Sequence, residues 1–195
     1  MIFLKKLKKW KNYYKKERGS WMAEESFFNQ KDLVKVDKGT IEELKIKARA
    51  NKSGKYRLCM HHSPQDSLHE MFIVRGKGDY GRPEKHTYTT ESHTIIEGIL
   101  LIIIFDNEGE VKEFFELSQE KYRSYRMDTN IYHMSIPITE QVVYYETKLG
   151  PFPNEGNIFA DWAPEPEDKV KVEEYLLKLK NKYRIYTQEV LKNEE

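Results

Sequence analysis

From residue 55 to residue 148 the sequence breaks into short runs rich in Val, Ile, Tyr and Phe, at 56–61, 71–75, 93–97, 99–105, 111–117, 131–136 and 141–148, with glycine or polar residues between them. Runs of this length and composition read as strands. Their connections are too short for helical crossovers, so the sheet is expected to be mainly antiparallel and to form a sandwich or barrel. Asp106-Asn107-Glu108-Gly109 supplies hairpin-turn chemistry between the fourth and fifth runs, because Asn and Gly tolerate positive φ. The longest apolar run, 99–105, is far shorter than the roughly 20 residues of a membrane-spanning helix.

Helical patterns flank this region. Thr40 and Glu43 have the spacing of a capping box, which predicts a short helix from Ile41 to Ala50. Gly150-Pro151-Phe152-Pro153-Asn154 ends the strand region, and Val172, Leu176, Leu179 and Tyr183 repeat at helical spacing beyond it. The expected organisation is an arm at 1–20, a domain at 32–165 that includes the short leading helix, and an amphipathic helix at 167–195.

The formal charge is +1, with 33 basic and 32 acidic residues, but it is unevenly spread. Residues 1–18 carry a net +7, which leaves −6 for the rest. Within them Phe3, Leu7, Trp10 and Tyr14 fall on one helical stripe among lysines. This pattern suits a helix lying on an anionic lipid surface, but a Lys-rich amphipathic helix also docks simply on its own domain or on a partner. Lysines interrupt the apolar stretch and no small-residue cleavage site follows, so the arm does not read as a secretory signal. The near-neutral total argues against nucleic acid as the main partner. Cys59 is the only cysteine, which excludes a disulfide framework and suits a reducing, cytosolic compartment, peripheral at the inner membrane face if the arm binds lipid.

The stretch from Gly78 to Gly98 carries the chemistry. On a strand, Glu84 and His86 project from one face, and Glu91 returns alongside them after a Thr-rich turn. His133, following a turn at Asn130, is the candidate fourth group. Imidazole nitrogens and carboxylate oxygens together suit one divalent transition metal: Fe, Mn, Ni or Zn. Cys59 lies in an apolar run and reads as buried filler, and no phosphate loop, dinucleotide fingerprint, HExxH helix or nucleophile elbow is present. His62 and His93 show no partner pattern and read as surface or structural residues.

The 78–98 segment resembles the first cupin motif, which runs glycine, five residues, HxH, three or four residues, glutamate, six residues, glycine. Asn130 to His133 resembles the second motif's glycine, two residues, histidine. Two positions depart from the pattern. Glu84 stands for the first histidine, and Asn130 for a glycine whose left-handed conformation Asn also adopts. Glu84 either joins His86, Glu91 and His133 on the metal or swings away and leaves open positions. A narrower similarity covers roughly residues 32–167. Arg57-Leu58-Cys59-Met60-His61, Asp66-Ser67-Leu68-His69-Glu70-Met71, Arg82-Pro83-Glu84-Lys85-His86, Glu91-Ser92, Glu146, Gly150-Pro151 and Phe159-Ala160-Asp161-Trp162-Ala163-Pro164 resemble the WbuC-type cupin metalloproteins, a family associated with lipopolysaccharide O-antigen gene clusters. The resemblance implies an all-β core, a cupin jelly-roll β-barrel holding one metal, with the helices as appendages and a homodimer through sheet edges.

Ligands of such barrels bind in the mouth. Arg57 and His61, on one face of an early strand, are candidates to line it, Arg57 for a carboxylate, phosphate or sugar hydroxyl. Tyr88, with Tyr132 and Tyr144, is a candidate for stacking on a sugar ring. His61 and the carboxylate of Glu84 are the candidate proton-transfer groups. Two functions stay open: a metal-dependent, isomerase- or epimerase-like enzyme on a sugar or sugar nucleotide of surface polysaccharide synthesis, and a non-catalytic sugar-binding module tethered by its basic arm.

Overall fold

In a computed structural model of the chain, residues 25–151 and 156–193 are described. The basic arm at 1–20 lies outside them. Eleven strands and two helices follow one another as β1 (Ser26–Phe28), α1 (Lys38–Ala50), β2 (Lys55–Cys59), β3 (Leu68–Gly76), β4 (Glu84–His86), β5 (Glu91–Glu97), β6 (Leu100–Phe105), β7 (Val111–Leu117), β8 (Ser124–Met127), β9 (Tyr132–Pro137), β10 (Gln141–Leu149), β11 (Asn157–Phe159) and α2 (Lys169–Asn193).

The strands pair as two sheets, ordered β1-β2-β3-β10-β5-β8 and β11-β4-β9-β6-β7. Strands adjacent in space but distant in sequence, such as β3 beside β10 and β6 beside β9, give the two sheets a jelly-roll arrangement. Among the described strands β1 and β2 run parallel and the other pairs are antiparallel.

The apolar run of β6 shows why the layers stack as they do. Leu100 and Ile102 point between the sheets, where they meet Cys59, Met71, Ile73, Ile95, Val142 and Tyr144. Leu101, Ile103 and Phe105 point to the opposite face, where Val172, Leu176 and Leu179 of α2 cover them. A strand buried on both sides has no polar alternation to show. Helix α1 covers the outer face of the six-stranded sheet in the same way, setting Ile41, Leu44 and Ala48 on Leu58, Val74 and Val143. The order is thus helix, sheet, sheet, helix.

Helix α1 starts three residues earlier than the sequence predicts. Its N-cap is Asp37, whose carboxylate accepts from the Thr40 backbone N–H at 2.8 Å and from the Thr40 hydroxyl. The Thr40 hydroxyl therefore caps no helix, and an aspartate takes that role. At the β6–β7 hairpin, Asp106 Oδ1 accepts from the N–H groups of Glu108 and Glu110, while Gly109 has φ +86°. Asn130 has φ +65°, the left-handed conformation expected of it. No helix among the described residues is long and apolar enough to cross a membrane.

Candidate metal centre

Both sheets contribute to one cluster. Strand β4 pairs with β9 through Glu84 opposite His133, which brings His86 and His133 together on the five-stranded sheet. The turn after β4 then carries the chain across to the six-stranded sheet, where Glu91 is the first residue of β5. The ring centroids of His86 and His133 are 5.4 Å apart, and all three side chains are buried. Glu91 lies between the imidazoles, with Oε2 3.2 Å from His86 Nε2 and Oε1 3.1 Å from His133 Nε2.

Each imidazole is oriented by its other nitrogen. His86 Nδ1–H donates to Asn157 Oδ1 at 2.7 Å, and His133 Nδ1–H donates to the Ile131 carbonyl at 3.0 Å. In the neutral tautomer so fixed, Nε2 carries the lone pair and faces the cluster, as metal-ligating histidines require. Glu91 Oε1 is buried without an aligned hydrogen bond despite its closeness to His133. Atoms bound to one transition metal at about 2.0–2.2 Å stand about 3–4 Å apart. The spacing and the orphaned oxygen both fit a divalent transition-metal ion, which His86, Glu91 and His133 would hold.

The electrostatics favour charge at this site. Burial alone would raise the Glu91 carboxyl, but His93 and His133 hold it well below the usual carboxylate range. Burial opposes protonation of His133, yet the adjoining Glu91 carboxylate prevails and lifts it to about 9.

A second group overlaps the first, and sequence reading missed it. Glu91, His93 and Glu146 also bring ligand-type atoms within 4.8 Å of one another, as do His86, Glu91 and His133. His93 Nε2 is 3.8 Å from Glu91 Oε1 and 3.3 Å from Glu146 Oε2, and it too is buried without a hydrogen bond. Tyr125 hydroxyl bonds its Nδ1 at 2.7 Å. The sequence signal for His93 was its two-residue spacing from Glu91, which puts both on one strand face. Glu146 faces His93 only through the β5–β10 register, which no local pattern reveals.

The cluster opens on a cavity of about 370 Å³ between the sheets. Arg57, His61 and Glu84 line it, together with Lys55, Cys59, Arg75, Tyr144 and Lys148. Glu84 faces this space beside His133 but is not among the three residues whose ligand atoms converge. His61 is stacked on His69, their centroids 4.2 Å apart and the rings 1° from parallel, and its Nδ1 accepts from the Glu70 N–H. Burial and the neighbouring His69 push its protonation below the ordinary range. Tyr88 is 60% exposed and is not among the residues lining the cavity. Tyr132 packs on Trp162 outside it.

A domain family described as "Domain of unknown function (DUF6016)" matches residues 36–117. No curated protein matches the chain. Among solved structures, protein SO0799 from Shewanella oneidensis is similar at 13% identity and a TM-score of 0.46, over 63% of this chain and 87% of that one. KdgF from a Halomonas species is similar at 16% identity and a TM-score of 0.41, over 53% of this chain and 84% of that one. The capsular polysaccharide assembling protein CapF from Staphylococcus aureus is similar at 13% identity and a TM-score of 0.46, over 53% of this chain; this chain spans 29% of that protein.

Proposed function

We propose that the chain is a metal-dependent enzyme of the WbuC-type cupin kind, acting on a sugar or sugar nucleotide of surface polysaccharide synthesis. One observation carries the metal: a buried carboxylate, Glu91, with an orphaned oxygen between two imidazoles whose Nδ1 atoms are already engaged. His86, Glu91 and His133 would hold one divalent transition metal, with Glu84 near enough to add to its field. Bound there, the metal supplies Lewis acidity toward a carbonyl or a water molecule. The choice of a sugar rests on the sequence resemblance and on the charged side chains that punctuate the cavity wall.

The chain's own groups supply the rest. Burial disfavours protonation of His61, and with Nδ1 accepting from the Glu70 amide its other ring nitrogen is an N–H donor available to a ligand at the cavity wall. Glu84 adds a further carboxylate to the cavity lining. The apolar and aromatic walls formed by Met71, Ile73 and Tyr144 limit water around the reacting groups.

Elemental analysis of the purified chain beside a His86→Ala/His133→Ala variant tests the reading. Roughly one equivalent of transition metal in the parent and none in the folded variant is the expected result. Equal metal in both, or none in the parent supplied with Fe, Mn, Ni and Zn, would overturn it.

A further inference from the structure

The cavity has two chemically different sides. Rows of side chains in register cross the six-stranded sheet: Arg57 opposes Ile73, which opposes Tyr144, and one row along Cys59 opposes Met71, which opposes Glu146, which opposes His93. Residues two apart on a strand share a face, so Lys55, Arg57 and Cys59 of β2 all turn toward the cavity. The acids Glu91 and Glu146 lie on β5 and β10, whereas Lys55 and Arg57 lie on β2, three strand steps or roughly 14 Å of sheet from β5.

Most charges facing this space have a counter-charge. Arg75 is ion-paired with Asp79 and also donates to Ser135. Arg82 pairs with Glu165, and Lys148 Nζ lies 3.5 Å from Glu146 Oε1. Lys55 and Arg57 are different. Glu25 and Glu84 line the same cavity, yet among the described residues neither reaches either cation within 4 Å. A half-buried cation without a partner is costly, and two on one strand face concentrate positive potential. Burial, with the nearby Arg57 and Arg75, weakens the hold of Lys55 on its proton, and Asp79 only partly restores it.

We infer that the ligand carries an anionic group, a carboxylate or a phosphate, which seats on Lys55 and Arg57 while the rest of the molecule extends toward the metal centre. This deepens the proposed function and rests on it for the second half of the ligand. Arg57 presents the planar donor pair that matches carboxylate and phosphate oxygens, and Lys55 adds a point charge beside it. A cavity of about 370 Å³ is within the range of small-molecule sites.

Calorimetric titration of the full chain with glucose, glucuronate and glucose 6-phosphate tests this, with the two anions separating carboxylate from phosphate. At least one anion should bind about tenfold or more tightly than glucose, and Arg57→Ala or Lys55→Ala should each remove about tenfold of that affinity. Arg57→Lys should keep part of it, because the charge remains while the planar fork is lost. Circular dichroism checks that the variants fold, and if Arg57→Ala does not, Arg57→Lys and Lys55→Gln decide. Equal affinity for all three sugars, no binding of either anion, or unchanged affinity in the folded variants would overturn the inference. Metal content measured on the same samples separates the two readings. Metal retained with no effect of Arg57 removes the anion seat alone, and Arg57-dependent binding in a chain that takes up no metal removes the metal centre alone.

Discussion

The carboxylate of Glu91 stands 3.1 Å from His133 Nε2, although the two residues belong to different sheets and lie 42 positions apart in the chain. That contact ties the two layers together where they enclose the cluster. Glu91→Gln keeps the shape and removes the charge. It should weaken metal binding by more than the about 10- to 100-fold that changes beyond the ligands themselves cost. Competition with a chromogenic chelator reads this directly, and unchanged affinity would remove Glu91 from the ligand set.

Gly98 and Gly78, the two glycines bounding the motif, both have positive φ, at +83° and +89°. A Cβ at Gly98 would come within 2.6 Å of the Gln141 carbonyl oxygen, whereas one at Gly78 would meet nothing within 4 Å. Gly78→Ala should therefore cost only the conformational penalty, about 1–2 kcal/mol. Gly98→Ala should cost at least about 1 kcal/mol more, because backbone must shift. Urea unfolding of both variants gives the difference, and equal losses would mean that the contact at Gly98 relaxes freely.

Cys59 is buried, and its burial lifts the thiol from an ordinary 9.0 to about 12. In the unfolded chain it ionises near its ordinary value, so above that pH the unfolded state binds fewer protons than the native state. The contribution of the thiol to stability should thus fall between pH 9 and about 12, by about 1.4 kcal/mol per pH unit. The stability difference between the parent and Cys59→Ala, measured from pH 8 to 11, isolates this group. A difference independent of pH would contradict the shift. The native thiol should also resist disulfide reagents at pH 8.

Leu179 lies 3% exposed against the five-stranded sheet, whereas Leu177 is 61% exposed on the same helix. Leu179→Ala should destabilise by about 2–5 kcal/mol, and Leu177→Ala by no more than about 0.5 kcal/mol. Thermal unfolding of the pair checks whether α2 is part of the core. Equal small effects would detach the helix from it.

The strands that show most clearly in the sequence are those with long apolar patterns. The runs at 99–105 and 111–117 correspond to β6 and β7 within a residue, because side chains buried on one or both faces leave an unbroken or alternating signal. Strands β1, β8 and β11 have three or four residues each, too few for a period to register, and their pairing partners hold them in place. The convergence of His86, Glu91 and His133 follows from motif spacing. That His93 and Glu146 adjoin them depends on which strand lies beside β5, a fact of topology rather than of local sequence. Tyr88 has the aromatic ring that sugar stacking needs, but the turn after β4 sets it at the surface rather than in the cavity lining.

The most direct test of the metal centre is anomalous diffraction from crystals of the chain loaded with Mn(II) or Zn(II). The expected result is one strong peak about 2.0–2.3 Å from His86 Nε2, His133 Nε2 and a Glu91 oxygen. Imidazoles turned apart with no peak between them, or a peak held by His93 and Glu146 without His86 and His133, would contradict it.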